Sequence, residues 1–146
     1  MYILNIYYTN EGMEITEPAM AEFLLRDRVS TAYIESNNGG RGFARSIQRI
    51  LSEKYKINKI SIQWFHQSKN KQARILTHSN FVMEHVYFPE FWAQRFPDFY
   101  AAVNAYQSKG RNRHDDAADA LTGLTEMIDT IRIMPVEIES GGRRYF

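Results

Sequence analysis

Apolar positions along this 146-residue chain fall into short runs that alternate with helix-spaced stripes. Tyr2-Ile3-Leu4-Asn5-Ile6-Tyr7-Tyr8 is rich in β-branched and aromatic residues and stops at Thr9-Asn10-Glu11-Gly12, which predicts a strand and a turn. Thr16, with Glu17-Pro18 behind it, has the form of an N-cap with proline in the first turn. Ala19, Met20, Phe23 and Leu24 then make a stripe that predicts a helix to about Arg28, lying over a sheet. Thr31-Ala32-Tyr33-Ile34-Glu35 predicts a short strand buried on both faces and ending in a carboxylate. From about Arg41 to Lys54, Phe43, Ile47, Ile50 and Leu51 form a buried stripe, while Arg41, Arg45 and Arg49 recur every fourth residue on another face. Ile60 to Phe65 predicts the next strand, and a further helix runs from Lys69 to about Ser79. After a brief extended piece at Val86 to Pro89, Phe91 to Phe96 and Pro97 to Ala105 predict one or two aromatic-rich helices. A polar loop from Gln107 to Arg113 leads into a long final helix, Asp115 to about Thr130. Its face is drawn by Ala118, Leu121, Leu124, Thr125, Ile128 and Ile131. Alternation of strands and helices predicts an α/β domain over residues 1–130, with a C-terminal tail at 131–146. No internal repeat is visible.

Length allows one core, and a hydrophobic share of 44% with 14% aromatics excludes a disordered chain. Net charge is only +1, but its distribution is uneven. Residues 1–37 carry two basic and six acidic side chains, residues 38–75 nine and one, and residues 76–146 seven and ten. The basic middle suits a polyanion, or is a solvated surface. Without cysteine there is no disulfide, zinc-thiolate site or cysteine nucleophile. No apolar run reaches membrane-spanning length and no signal-peptide pattern is present, so the expectation is a protein of the cytoplasm with no membrane partner.

The candidate chemistry gathers at Arg113-His114-Asp115-Asp116-Ala117-Ala118-Asp119-Ala120-Leu121. Asp115 and Asp119 are four apart and Asp116 and Asp119 three apart, so either pair projects from one side of the final helix. Ionised together in a dry cleft they would repel, and a divalent cation would remove that penalty. The plainer reading is helix capping, since acids at a helix N-terminus satisfy orphan N–H groups and oppose the macrodipole. A third Asp one turn in, where capping gives no reason for it, favours a metal site. Glu35 is a second candidate, because ligands of open α/β sheets gather at the carboxyl ends of strands; the alternative is an exposed acid at a strand end. The loop Ser36-Asn37-Asn38-Gly39-Gly40-Arg41-Gly42 lacks both the P-loop ending and the dinucleotide fingerprint, which argues against nucleotide binding. Arg41, Arg45 and Arg49, one turn apart, match the track of a phosphate backbone or form a solvated face.

Four pieces of the chain, in order, carry a family resemblance: Tyr33-Ile34-Glu35-Ser36-Asn37-Asn38-Gly39-Gly40, then Asn70-Lys71-Gln72-Ala73-Arg74-Ile75, then Phe96-Pro97, then His114-Asp115-Asp116-Ala117-Ala118-Asp119-Ala120-Leu121. The chain resembles, nearly throughout residues 1–130, the C-terminal nuclease domain of the large terminase subunit of tailed phages. The resemblance implies an RNase H-like mixed sheet flanked by helices. It also implies that the family's first strand, which carries a further metal-binding Asp at the centre of the sheet, and its second strand are absent from this chain. The Tyr2 and Thr31 strands are then expected to lack their shared neighbour, and the chain to be the downstream part of a longer protein whose ATPase domain lies upstream.

Carried over by position, the resemblance makes Glu35, Asp116 and Asp119 catalytic and makes Glu35, Asp115, Asp116 and Asp119 ligands of Mg²⁺ or Mn²⁺ in a two-metal site. His114 belongs to the motif without an assigned proton-transfer role. Lys71 and Arg74, with Arg41, Arg45 and Arg49, are expected to hold DNA phosphates; Lys71 and Arg74 are otherwise solvated charges on their helix. Zinc has little support, because His66, His78, His85 and His114 show no paired-ligand spacing. The implied function is endonucleolytic cutting of concatemeric viral double-stranded DNA in the host cytoplasm, with the portal and small terminase subunit as partners and no activity expected of the isolated fragment. The alternative is a non-catalytic DNA-gripping or docking module. A Holliday-junction resolvase is a third reading, which would not require the Lys71 to Ile75 segment.

Overall fold

A computed structural model describes residues 1–37, 39–67, 70–107 and 115–133, of which 129–133 are described by backbone alone. His114, Arg113 and the expected tail at 134–146 lie outside the described residues. The chain forms two compact units, Asn5–Lys69 and Met1–Leu4 with Asn70–Phe146.

In the first unit, α1 spans Met13–Arg26, β1 Thr31–Glu35, α2 Gly40–Glu53 and β2 Ser61–Phe65. Strands β1 and β2 pair in parallel, Thr31 opposite Ser61 through Glu35 opposite Phe65, with α2 as the crossover that parallel pairing demands. Helix α1 starts three residues before the expected Thr16 cap. The Gly12 carbonyl accepts from the amides of Ile15 at 3.1 Å and Thr16 at 3.0 Å, so the first turn closes ahead of the threonine. Pro18 therefore sits inside the helix and removes the amide that Glu14 would otherwise receive. At the other end Arg28 takes a positive φ of 53°, while Val29 N–H donates to Leu24 O at 3.0 Å and Arg28 N–H to Leu25 O at 3.1 Å. This is a Schellman ending made without glycine, and Val29 packs back on the core that holds Leu24.

Ala21 and Leu24 of α1 meet Ile47 and Leu51 of α2 in that core, with Ala32, Ile34, Ile60 and Ile62 packed against them. Strand β1 is covered on one face rather than both: Ala32 and Ile34 turn to the helices, whereas Tyr33 and Glu35 are exposed. Both helices of the unit share the Ala32 face, so the Tyr33 face receives no layer from them. Arg41, Arg45 and Arg49 are exposed along α2, opposite buried Ala44, Ile47 and Leu51. Gly40 opens α2 hard against the strand end, where an added Cβ would overlap the Glu35 carbonyl oxygen. The preceding Gly39 takes a φ of 93°, a conformation that side chains disfavour.

In the second unit α3 spans Lys71–His85, α4 Trp92–Arg95, α5 Pro97–Ala105 and α6 Asp116–Ile133. The Asn70 side chain caps α3 by accepting from Ala73 N–H at 3.1 Å, and the helix runs two turns past the expected end. Helix α6 packs on α3 and α5. Its buried face is Ala117, Ala118, Leu121, Thr122 and Thr125, and Leu124, expected inside, is exposed. The two threonines tolerate burial because their hydroxyls donate back to Ala118 O at 3.1 Å and Thr122 O at 2.7 Å. Trp92 stacks on Phe88, centroids 4.1 Å apart, and meets Tyr100 edge-on at 4.7 Å.

The strand expected over Tyr2–Tyr8 does not form. Tyr2 makes a single parallel bridge to Tyr87, through Ile3 N–H to Tyr87 O at 2.9 Å and Tyr87 N–H to Met1 O at 2.8 Å, and the two rings stack at 5.3 Å. A ladder needs a neighbour of comparable length, and the segment at Tyr87 is closed off by the end of α3 before it and Pro89 after it. Among the described residues the sheet is therefore the parallel β1–β2 pair, and the fold is α/β.

Replacing Ile47 by Ala is expected to cost about 2–5 kcal/mol in urea unfolding, because a fully buried side chain leaves a cavity between two helices. Gly40→Ala is expected to cost about 1–3 kcal/mol in the same assay through overpacking, whereas Gly42→Ala, where an added Cβ meets nothing within 4 Å, should be neutral or stabilising.

Candidate functional site

Glu35 is the last residue of β1, and its Oε1 accepts from Asn37 Nδ2 at 2.8 Å. The same Nδ2 donates to Gln67 O at 2.9 Å. Two acceptors fix the amide orientation and leave Asn37 Oδ1 buried without a partner. Beside it Ser36, Asn37, Arg41 and His66 line an open notch of about 540 Å³ at the carboxyl ends of the two strands. Asn37 and His66 were not among the residues singled out from sequence. An amide two positions beyond a strand-end acid is a usable signal for the first, because it reaches back through a turn; nothing in the spacing marks the second.

In the other unit the acids and bases meet along the seam of α3 and α6. Asp115 is the residue before α6, and its carbonyl accepts Asp119 N–H at 2.9 Å, so it does begin the helix. Its carboxylate faces α3: Lys71 Nζ donates at 2.7 Å to Asp115 Oδ1 and at 2.7 Å to Asp116 Oδ1, and lies 3.7 Å from Asp119 Oδ2. Arg74, one turn along α3, donates from Nη2 to Asp119 Oδ1. Two turns from Lys71, His78 Nε2 stands 3.5 Å from Glu126 Oε1. Positions 71, 74 and 78 share one face of α3, as 115, 119 and 126 share one face of α6.

Burial grades along the seam. Arg74 and Asp119 side chains are 5% and 15% exposed, whereas Lys71 is 35% and Asp116 80%. Arg74 and Asp119 thus form a pair whose partners depend on each other, since removing one leaves a buried charge. Arg74 Nε is buried with no acceptor, a cost the guanidinium bears to keep Asp119 paired. Burial alone would pull the Lys71 amine below its ordinary pKa, but the hydrogen bonds it donates to Asp115 and Asp116 outweigh that and push it upward. It stays cationic. In this structure Lys71 and Arg74 face the aspartates.

The donor set has the chemistry of a hard-cation site: carboxylate oxygens, two of which already converge on one positive centre. Among the described residues no group of three or more His, Cys, Asp or Glu side chains is placed to hold a metal ion. The point of convergence is filled by the Lys71 ammonium. The aspartates are oxygen donors of the type hard cations take, and in this structure their charge is answered by Lys71 and Arg74. Likewise, among the described residues no helix is long and apolar enough to cross a membrane.

No curated protein and no solved structure matches the chain. Residues 1–127 match the family described as the terminase RNaseH-like domain. That span includes Glu35 with its Asn37 brace, the basic face of α2 and the whole Lys71–Asp119 seam, and by it the chain belongs to the terminase RNaseH-like domain family.

Proposed function

We propose that this domain is the nuclease part of a terminase large subunit, a metal-dependent endonuclease that cuts concatemeric viral double-stranded DNA during packaging in the host cytoplasm. Its partners in this reading are an upstream ATPase domain, the portal and the small subunit. One observation carries it: in a chain of this family, oxygens of Asp115 and Asp116 converge on a single cationic nitrogen at 2.7 Å each. Asp115, Asp116 and Asp119, together with Glu35, are the residues that would hold Mg²⁺ or Mn²⁺. When bound as a pair, such ions supply Lewis-acid activation of the attacking water and stabilise the departing 3′-oxygen.

The chain's own side chains have separate tasks in this reading. Asn37 orients the Glu35 carboxylate through its amide. Arg74 fixes Asp119, so that one acid of the set keeps a single orientation before any ligand arrives. Arg41, Arg45 and Arg49, exposed on α2, hold phosphates without reading bases. Lys71 turns to a phosphate only on leaving the aspartates.

The same seam supports a second reading. Lys71 and Arg74 already compensate the three aspartates, as they would in a non-catalytic DNA-gripping or docking module whose acids serve only to fasten α6 to α3. Specific Mn²⁺ binding that disappears in Asp116→Ala belongs to the nuclease, and indifference to Mn²⁺ belongs to the module.

In the full-length protein carrying this domain, Asp116→Ala is expected to lower Mn²⁺-dependent plasmid cleavage by about a thousandfold or more while DNA affinity stays within about threefold. Undiminished cutting would remove Asp116 from the mechanism. Replacing Arg45 and Arg49 together by Ala is expected to reduce the slope of log binding constant against log salt by about 2; an unchanged slope would make them an ordinary solvated face.

A further inference from the structure

We propose that the notch at the carboxyl ends of β1 and β2 seats one phosphate of a nucleic-acid backbone, held by Ser36, Arg41 and His66; this rests on the DNA-binding reading above and needs no metal. The notch, about 540 Å³, is lined by Ser36, Asn37, Arg41 and His66, and among the described residues no acid lines it. It has room for a phosphate with several waters, at about 30 Å³ for each water. Its lining offers a hydroxyl, a guanidinium and an imidazole, each able to donate to an anionic oxygen. They come from three segments: the loop after β1, the first turn of α2 and the loop after β2. Donors from three sides can each take a different oxygen of a tetrahedral phosphate, where a carboxylate has only two to offer.

Neither Arg41 nor His66 is spent within the chain. Among the described residues their side chains have no ion pair or hydrogen bond, whereas Arg26, Lys54, Lys71 and Arg74 each meet a carboxylate. Glu35, the nearest acid along the chain, gives its Oε1 to Asn37 Nδ2 at 2.8 Å rather than to the Arg41 guanidinium. The frame around the notch is also held. Ser36 N–H donates to Phe65 O at 2.7 Å and Asn37 Nδ2 to Gln67 O at 2.9 Å, so the loops that carry Ser36 and His66 are tied together before a ligand arrives. Arg41 is at the same time the first of the exposed row that continues with Arg45 and Arg49, each about 6 Å further along the helix. A strand with one phosphate in the notch can therefore lay the next along α2.

Titration of the 146-residue chain with inorganic phosphate at constant ionic strength, followed by ¹⁵N-resolved nuclear magnetic resonance, tests this. The Ser36 amide and the side-chain resonances of Arg41 and His66 should shift saturably while that of Arg49 stays, and Arg41→Gln or His66→Gln should weaken the phosphate affinity by about tenfold. No saturable shift, or an equal shift at Arg49, overturns the proposal. A short DNA duplex should displace the phosphate, and His66→Gln should weaken duplex binding by about threefold or more. Phosphate that seats but is not displaced by duplex is an adventitious ion only, and overturns the proposal. Duplex binding that His66→Gln leaves unchanged overturns the seat, and the DNA-binding reading stands. No duplex binding by the wild-type chain overturns both.

Discussion

Asp115, just before α6, and Asp116 and Asp119 in its first turn repel one another, and Lys71 and Arg74 answer that repulsion from the facing side of α3. Electrostatics and packing are therefore one problem in this unit. Ala117, Ala118 and Leu121 bring α6 close to its neighbours through small or compact side chains, and the approach that buries them also pushes Asp119 into partial burial. Without Arg74 at that depth the carboxylate would face a desolvation cost that apolar contact of so few atoms does not offset. The graded exposure along the seam follows: a more buried pair inside, a more exposed one at the rim.

Such an arrangement answers a demand on any charged cluster. A cluster built of acids alone would have to protonate or come apart, since three carboxylates so close repel one another. Placing a buried arginine on one acid and a partly exposed lysine on the other two compensates all three carboxylates within the fold. The second reading, of a purely fastening role, uses the same contacts, and it is the exposed side of the cluster that separates the two.

Much of the fold was legible from side-chain periodicity where one helix face alone decides the outcome. Ile47 and Leu51 marked the inner face of α2 and the arginines its outer face. Where a second element decides, periodicity misled. Leu124 has the right spacing for burial, yet it falls at the edge of the face that Ala118, Leu121, Thr122 and Thr125 turn inward and is exposed, while the Thr122 hydroxyl returns to the backbone. Tyr2 to Tyr8 has strong strand composition, but composition cannot supply a neighbouring ladder, and only Tyr2 finds one residue to pair with. At the site, the residue types and the helix carrying the aspartates were readable, while their partners were not. The clue was present in the matching three-residue steps of Lys71 with Arg74 and Asp116 with Asp119, but no rule of spacing within one helix says which other helix lies opposite.

The steric fit of Gly40 against the Glu35 carbonyl has a metrical meaning. With no slack between strand end and helix start, α2 and Glu35 behave as one rigid gauge. The guanidiniums of Arg41 to Arg49 are spaced along about 12 Å of that gauge, at 1.5 Å per helical residue. A polyanion lying on α2 would therefore be indexed from Glu35 by a fixed number of its own repeats. A glycine without chemistry of its own thereby sets the distance between the strand-end acid and the arginine face of α2.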